Sequence, residues 1–545
     1  MNAPDSPIAE HLRALGQRWL PRLLTQVCRD PGSPAHGCFD RDWWHYRIRD
    51  FPSVILQQGG SALAAAAQLD DHQSIREPLL GLARASCSFW NRRALRRGAF
   101  EEYYPWEQGY PPLAFSTLAV VQLAGQGVVE ASAVQDGARV AARQLRRRFE
   151  AQAANQQVAG LAALAWCRRV FPSLVPDAEF TRLAERTLAL QHSEGWFQEY
   201  GGPDLGYLSV TVDCLWDLWD ATGDRRFADS LWRALECIRR LTVPLGRRSI
   251  GMHNARNTDY LVPYGILRAA LEVRSDEHSP ATALLPLFEE ASAPDHFLGA
   301  IDDRYVCHYI GRSLFRALAL LEAAPAVTRE PAPHPAAPEA VQDRLTAGGH
   351  FMQAGPGTGT GLLVTIRKGG ILSCRWPQAW FSDFGWIIDL GGREFLTHWW
   401  SDQWSARVEE SSVVVEGPVF EHRETPSSPL KHIALRILSW IVGRRLIAAL
   451  KDRLIFSKPA GRVRFCRRIH WRADQLEIWD SFHPWPATAR LRPAPRSSKR
   501  HVASADSHHI EDFRPARGVE VEREFTTGDG SCQVRTRVCP KPQTR

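Results

Sequence analysis

Three segments of the chain place aromatic, amide and charged residues just before apolar stretches of helical period. They are EEYYPWEQGYPP (Glu101 to Pro112), EGWFQEYGGPDLGY (Glu194 to Tyr207) and GMHNARNTDY (Gly251 to Tyr260). These residue types suit a sugar. Aromatic faces such as Tyr104, Trp106, Trp196, Tyr200 and Tyr260 stack on sugar rings, and amides and guanidinium groups such as Asn257 and Arg256 bond hydroxyls or carboxylates. The first two segments also carry paired carboxylates, Glu102 with Glu107 and Glu199 with Asp204. Such a pair serves as acid and base of a glycoside hydrolase when the groups stand ~5 to 10 Å apart. Each loop taken alone also caps its own helix, so a shared site requires the fold to bring the three together.

The surrounding periodicity supplies a way to do that. Up to about Pro325, apolar residues recur at three- and four-residue steps between Gly, Pro and Asp breaks. The pattern predicts helices over Pro111 to Gln126, Asn155 to Val170, Ala178 to Gln191, Leu205 to Thr222, Arg226 to Leu241, Thr258 to Val273 and Tyr305 to Ala323. Roughly a dozen such segments make about six helical hairpins. Stretches such as GLAALAWCRRVF are apolar over a wide face, so each must pack on two neighbours, as in a closed ring or a solenoid. The absence of a fixed-period repeat counts against solenoids with strong repeat signatures. In a ring of hairpins, the loops entering alternate inner helices converge on one mouth.

PAVTREPAPHPAAPEA, Pro325 to Ala340, forbids a regular helix and reads as a connector. Beyond it, β-branched and aromatic alternation broken by Gly-Gly, Asp-Gly and Pro predicts antiparallel β structure. The division expected is a helical domain over 1–324, a proline-rich connector over 325–340 and a β domain over 341–545. Inserted in the β domain, LKHIALRILSWIVGRRLIAALKDRLI, residues 430–455, is helical in period, apolar on one side and basic on the other. Either its Leu, Ile and Trp440 face packs on the body, or the helix lies on a membrane with its Arg and Lys residues at anionic headgroups.

Composition narrows the classes. A chain of 545 residues exceeds one core, and 44% hydrophobic with 23% charged residues excludes a largely disordered or collagen-like chain. Subtracting 60 acidic from 67 basic residues leaves +7, too mild a surplus to imply nucleic acid. Trp outnumbers Tyr by 20 to 10, a bias found in carbohydrate clefts and in bulky cores alike. The amino-terminal stretch lacks the apolar core of a secretory signal, and the eleven cysteines form no CxxC pair, so a reducing cytoplasm is expected. No run of eighteen uncharged apolar residues predicts a membrane span. With no HxxxH, Cys cluster or acidic calcium loop, neither metal nor cofactor is expected.

AANQQVAG carries Asn155, GGPDLGY carries Tyr207 at a spacing of 52, and RNTDYLVPYG carries Arg256, Asn257 and Tyr260. In these elements the chain resembles the heparinase II/III-like polysaccharide lyases, which join an (α/α) toroid to a carboxyl-terminal antiparallel β-sandwich. The resemblance covers most of the chain in architecture. It implies metal-independent β-elimination from a uronic acid unit of an acidic polysaccharide. Asn155 and Gln156 would sit at the substrate carboxylate, Arg256 would be its counter-charge, and Tyr207 would be the acid and base.

The chain departs from the family pattern at three places. Asn155-Gln156 stands for Asn-His. QAWFSDFGW keeps Asp383 but has Trp380, Phe381 and Ser382 where His is usual. Glu409 to Ser412 replaces a His-Asn pair. His253 in GMHNARNT or His398 in THWWSDQW could supply the missing imidazole, with His253 the candidate base. The implied partner is an acidic polysaccharide or a lipid-linked glycan of bacterial envelope synthesis, met at the inner face of a membrane. A hydrolase, a uronate epimerase and a catalytically inactive glycan-binding or assembly module remain the alternatives. Oligomeric state is left open.

Overall fold

The computed structural model describes residues 7–96, 98–242, 245, 250–273, 279–294, 296–299, 301–323, 344–354, 360–409, 412–422, 426, 428–443, 460–472, 474–495 and 516–541. Helices Tyr110–Gly125, Ala154–Val170 and Leu205–Thr222 are buried at almost every position. Helices Ala131–Arg146, Asp177–Leu188 and Arg225–Thr242 alternate with them and bury one stripe only. That difference sorts them into an inner and an outer layer. The inner layer continues through Tyr264–Glu272 and Tyr309–Ala323 to Gly59–Ala66, which packs back on Tyr110–Gly125. Six inner helices therefore close a ring, and the chain has an (α/α) toroid rather than an open solenoid.

Five of the helices expected from periodicity agree with the structure to within three residues at each end. The expected helix Thr258 to Val273 begins only at Tyr264. Thr258 is held instead by Asp204, whose carboxylate accepts from its backbone N–H and its hydroxyl. The expected helix starting at Tyr305 is broken at Cys307 and His308 between Asp303–Val306 and Tyr309–Ala323.

The second half is antiparallel throughout its described strand pairs. A six-stranded and a nine-stranded sheet share one apolar core, which includes Val364 and Leu372 from the first and Ile388, Val415 and Ile469 from the second. Alternation predicted the antiparallel strands, and their arrangement is the β-sandwich that the resemblance implied. Inside it, Arg467 bridges Asp383 and Asp480 at 2.7 Å each, so Asp383 of the QAWFSDFGW segment serves an internal ion pair. The expected connector, 325–340, lies outside the described residues, as does the later part of the 430–455 helix; the described helix is Pro429–Val442.

The two halves share a buried seam. Met252 of the toroid sits in the β core, while Met352 and Leu363 of the β half sit in the helical core. Methionine suits such irregular joins because its side chain is unbranched and flexible.

Candidate active site at the toroid mouth

The site begins with a short bridge between two loops. Ala153 pairs with Glu199, Ala154 N–H donates to the Gln198 carbonyl at 3.0 Å, and Tyr200 N–H donates to the Gln152 carbonyl at 2.8 Å. This bridge sets Asn155, in the first turn of its inner helix, against the buried Glu199. Glu199 Oε1 accepts from the Asn155 backbone N–H at 2.9 Å and from its Nδ2 at 2.5 Å, while Oε2 accepts from Arg256 Nη1 at 3.1 Å. Burial pushes the Glu199 carboxyl up to about 7, against the opposing pull of Arg256 and Asn155.

Arg256 is placed by Asp204. That carboxylate caps the helix Leu205–Thr222 through Tyr207 N–H and accepts from Arg256 N–H at 2.9 Å. One side chain thus fixes the start of an inner helix and the neighbouring 256–258 loop. The guanidinium carbon of Arg256 lies 4.2 Å from the Tyr207 ring centre and 4.6 Å from that of Tyr200. Tyr200 and Asn257 both hold a left-handed backbone, at φ 54° and 57°. A bulky residue in that region is strained, and such strain gathers at functional sites.

Tyrosines fill the mouth. Tyr207, Tyr260 and Tyr309 form a triangle with ring centres 6.2 to 6.3 Å apart, and the Tyr260 hydroxyl donates to that of Tyr309 at 3.3 Å. Tyr305 stands 6.3 Å from Tyr309. With Tyr103, Tyr104 and Tyr200, seven of the ten tyrosines lie in this group or on the loops around it. His308, beside Tyr305 and Tyr309, is buried and has no hydrogen-bond partner at either ring nitrogen among the described residues. Burial holds it well below the usual imidazole range.

Asn155, Arg256, Tyr200, Tyr207 and Tyr260 are therefore brought together. Asn155 offers something other than expected. Its NH2 group is taken by Glu199, leaving Oδ1 as a buried acceptor without a partner among the described residues; Gln156 Oε1 beside it is in the same state. His253 belongs to the seam. Its Nδ1 pairs with Thr365 Oγ1 at 2.6 Å and its Nε2 with Ser373 Oγ at 3.0 Å. Ser373 contacts Ser382 at 3.1 Å, so this imidazole reaches the strand pair that carries the QAWFSDFGW segment. Both its nitrogens are engaged, which corrects the expectation of a base open to substrate.

Asn257 is held by Lys368, a wholly buried residue of the β half, whose Nζ donates to Asn257 Oδ1 at 2.6 Å and to the Met252 and Asn254 carbonyls. Trp196 stacks on His192 at 4.6 Å, donates to Glu194 and borders a cleft with Gly348 and His350 at the seam. It stands apart from the tyrosine group. Trp106 is 45% exposed on the rim, with a left-handed backbone, and Tyr104 beside it is half-buried. His398 is buried inside the β half.

The carboxylate pairs are engaged in structure. Glu102 accepts from Arg304 at 2.7 Å, and Glu107 accepts from the backbone N–H groups of Glu102 and Tyr103. Sequence reading missed Lys368, His308, Tyr305 and Tyr309. Lys368 precedes a Gly-Gly turn that read only as a strand break, and the other three fall in a stretch read as one continuous helix.

No protein-family model matches the chain, and no curated protein sequence does. Among solved structures it is similar to the Streptomyces coelicolor A3 chondroitin AC lyase in complex with chondroitin sulphate, at 12% identity, 99% of this chain, 80% of that chain and TM-score 0.46. It is similar to heparinase III at 9% identity, 99% of this chain, 92% of that chain and TM-score 0.44. It is also similar to heparan sulfate lyase HepC from Pedobacter heparinus, at 7% identity, 98% of this chain, 89% of that chain and TM-score 0.37.

Proposed function

We propose that the protein is a polysaccharide lyase that cleaves an acidic, uronate-containing glycan by β-elimination. The observation that carries this reading is Arg256, a buried cation set against the Tyr207 ring and anchored by Glu199. Tyr207 takes the C5 proton of the uronate, the C4–O bond breaks as the C4–C5 double bond forms, and the departing oxygen leaves with a proton returned by the phenol. Arg256 is the counter-charge for the phenolate and for the uronate carboxylate. Asn155 Oδ1 and Gln156 Oε1 accept from sugar hydroxyls. The first turns of three inner helices carry Asn155, Tyr207 and Tyr309, so their N-terminal dipoles favour an anionic ligand at this mouth. The scheme asks for no metal or cofactor.

The hydrolase alternative is weaker because the carboxylates it would use already hold the loops and the Leu205–Thr222 helix. A cytoplasmic place, and a role on lipid-linked glycan in envelope synthesis, belong to the same proposal. The test is a panel of uronate polymers assayed for the ultraviolet absorbance of unsaturated uronate ends. Product formed by the wild type and lost in Tyr207→Phe supports the lyase. Binding without product would assign a glycan-binding module instead.

A further inference from the structure

The described helix Pro429–Val442 turns its apolar side away from the body. At about 100° per residue, Leu430, Ile433, Ile437 and Ile441 form one stripe, with Trp440 on its flank. All five keep more than half of their surface exposed. Ser439, on the opposite side, is the helix's buried residue, and its hydroxyl donates to the Pro105 carbonyl on the mouth loop at 2.8 Å. Arg436, also on that side, pairs with Asp50 at 3.1 Å. The usual amphipathic arrangement is thus inverted: over the described residues of this helix, the apolar face does not pack on the body. Asp50 brings the 46–50 loop alongside, and there Tyr46 and Ile48 are again more than half exposed, with Arg47 exposed between them.

An apolar stripe of this length in water is costly unless something covers it. Charge decides what. The helix contains Lys431, His432 and Arg436 and no acidic residue. Between Ser428 and Lys458 the sequence has seven Lys and Arg against one Asp. A second copy of the same face would set these like charges together, whereas an anionic lipid surface neutralises them while accepting Leu, Ile and Trp at its acyl boundary. No described helix is long and apolar enough to cross a membrane, and fourteen residues span about 21 Å against a hydrocarbon core of ~30 Å.

We infer that helix Pro429–Val442 and the 46–50 loop form a docking surface for an anionic lipid bilayer, which the helix enters only to the headgroup and acyl boundary. Because Ser439 rests on the loop between Tyr104 and Trp106, docking holds the mouth of the toroid at the membrane. The inference does not rest on the lyase reading and is measured without substrate.

The full chain is sedimented with vesicles of phosphatidylcholine alone or mixed with phosphatidylglycerol, alongside Ile437→Glu, Trp440→Glu and Ile48→Glu. The expected result is binding to the mixed vesicles that weakens with salt, drops at least about tenfold in each helix variant, and drops less in Ile48→Glu. All three sites are exposed, so unchanged melting temperatures will show intact folds. Absence of binding to the mixed vesicles overturns the inference, as does binding that survives Ile437→Glu and Trp440→Glu. Concentration-dependent dimers abolished by the same variants, without vesicle binding, would assign the face to a second copy. Turnover on a soluble uronate polymer, unchanged in Trp440→Glu, separates failure of docking from failure of the lyase reading.

Discussion

Glu199 binds Asn155 through one carboxylate oxygen and Arg256 through the other, at 2.5 and 3.1 Å. One buried side chain thus sets the distance between an amide and a cation carried by different hairpins, and Arg256 in turn meets Tyr207.

Replacing Glu199 with Ala leaves a guanidinium and an amide donor buried without their acceptor. Breaking a buried pair in this way costs about 3–5 kcal/mol. Glu199→Gln keeps one acceptor oxygen and is expected to cost less while still losing activity. Urea unfolding of the two variants beside wild type checks the order; equal stability of all three would remove Glu199 from the position given to it.

Tyr207→Phe deletes one hydroxyl and leaves the ring against Arg256. Elimination on a uronate polymer, measured where the variant is fully folded, is expected to fall by ~10² to 10⁴, the usual share of a general acid–base group. Retained turnover would exclude Tyr207 as the proton carrier.

Glu107 gives stability a pH dependence of definite sign. Burial first, and the neighbouring Glu102 second, push its carboxyl up to about 8 from 4.5. The folded state therefore binds a proton that the unfolded state releases through this window, and stability falls as pH rises from about 4.5 to about 8. Glu107→Gln imitates the protonated form. Its melting temperature is expected to exceed that of wild type above pH 8 and to converge with it near pH 5; parallel curves would contradict the burial of this carboxyl.

Lys368 donates to two backbone carbonyls and to Asn257 of the toroid. Lys368→Met leaves three acceptors unmatched, at about 1–3 kcal/mol for each buried group. Hydrogen exchange is expected to rise in residues 252–257 more than elsewhere, and activity to fall through loss of Arg256 placement. His253→Ala is expected to weaken the same seam, with activity lost only in proportion to the folded fraction. A steeper loss of turnover in His253→Ala at full folding would return this imidazole to the chemistry.

Periodicity read the toroid well because each inner helix must be apolar all round and each outer one on a single stripe. It failed at Thr258 to Val262, where Asp204 captures Thr258 and Ser209 captures Val262, each more than fifty residues earlier; Pro263, just before the observed start, was the local signal of the boundary. The Trp surplus pointed to sugars, yet tyrosines fill the mouth, and Trp90, Trp216, Trp232 and Trp386 are fully buried. Number alone cannot tell a platform from a core residue. Tyr207 and Arg256 were legible in polar segments that precede apolar helices, and Asn155 only through the family resemblance. His253 was legible as a histidine but not as a bond across the seam, because its partners, Thr365 and Ser373, read only as strand residues. The helix at 430 was legible as amphipathic, but which side faces the body depends on Ser439 and Pro105, far apart in sequence.

The buried seam has a consequence for how the two halves are inherited and engineered. Lys368, Thr365 and Ser373 hold the stretch that carries Arg256, and Met252 and Met352 interlock from opposite directions. The sandwich is therefore a jig in which the 252–257 loop is set, and the ring and the sandwich are not interchangeable modules. A chimera that grafts a foreign sandwich onto this ring will need Met352, Thr365, Lys368 and Ser373 from it before residues 252–257 are held.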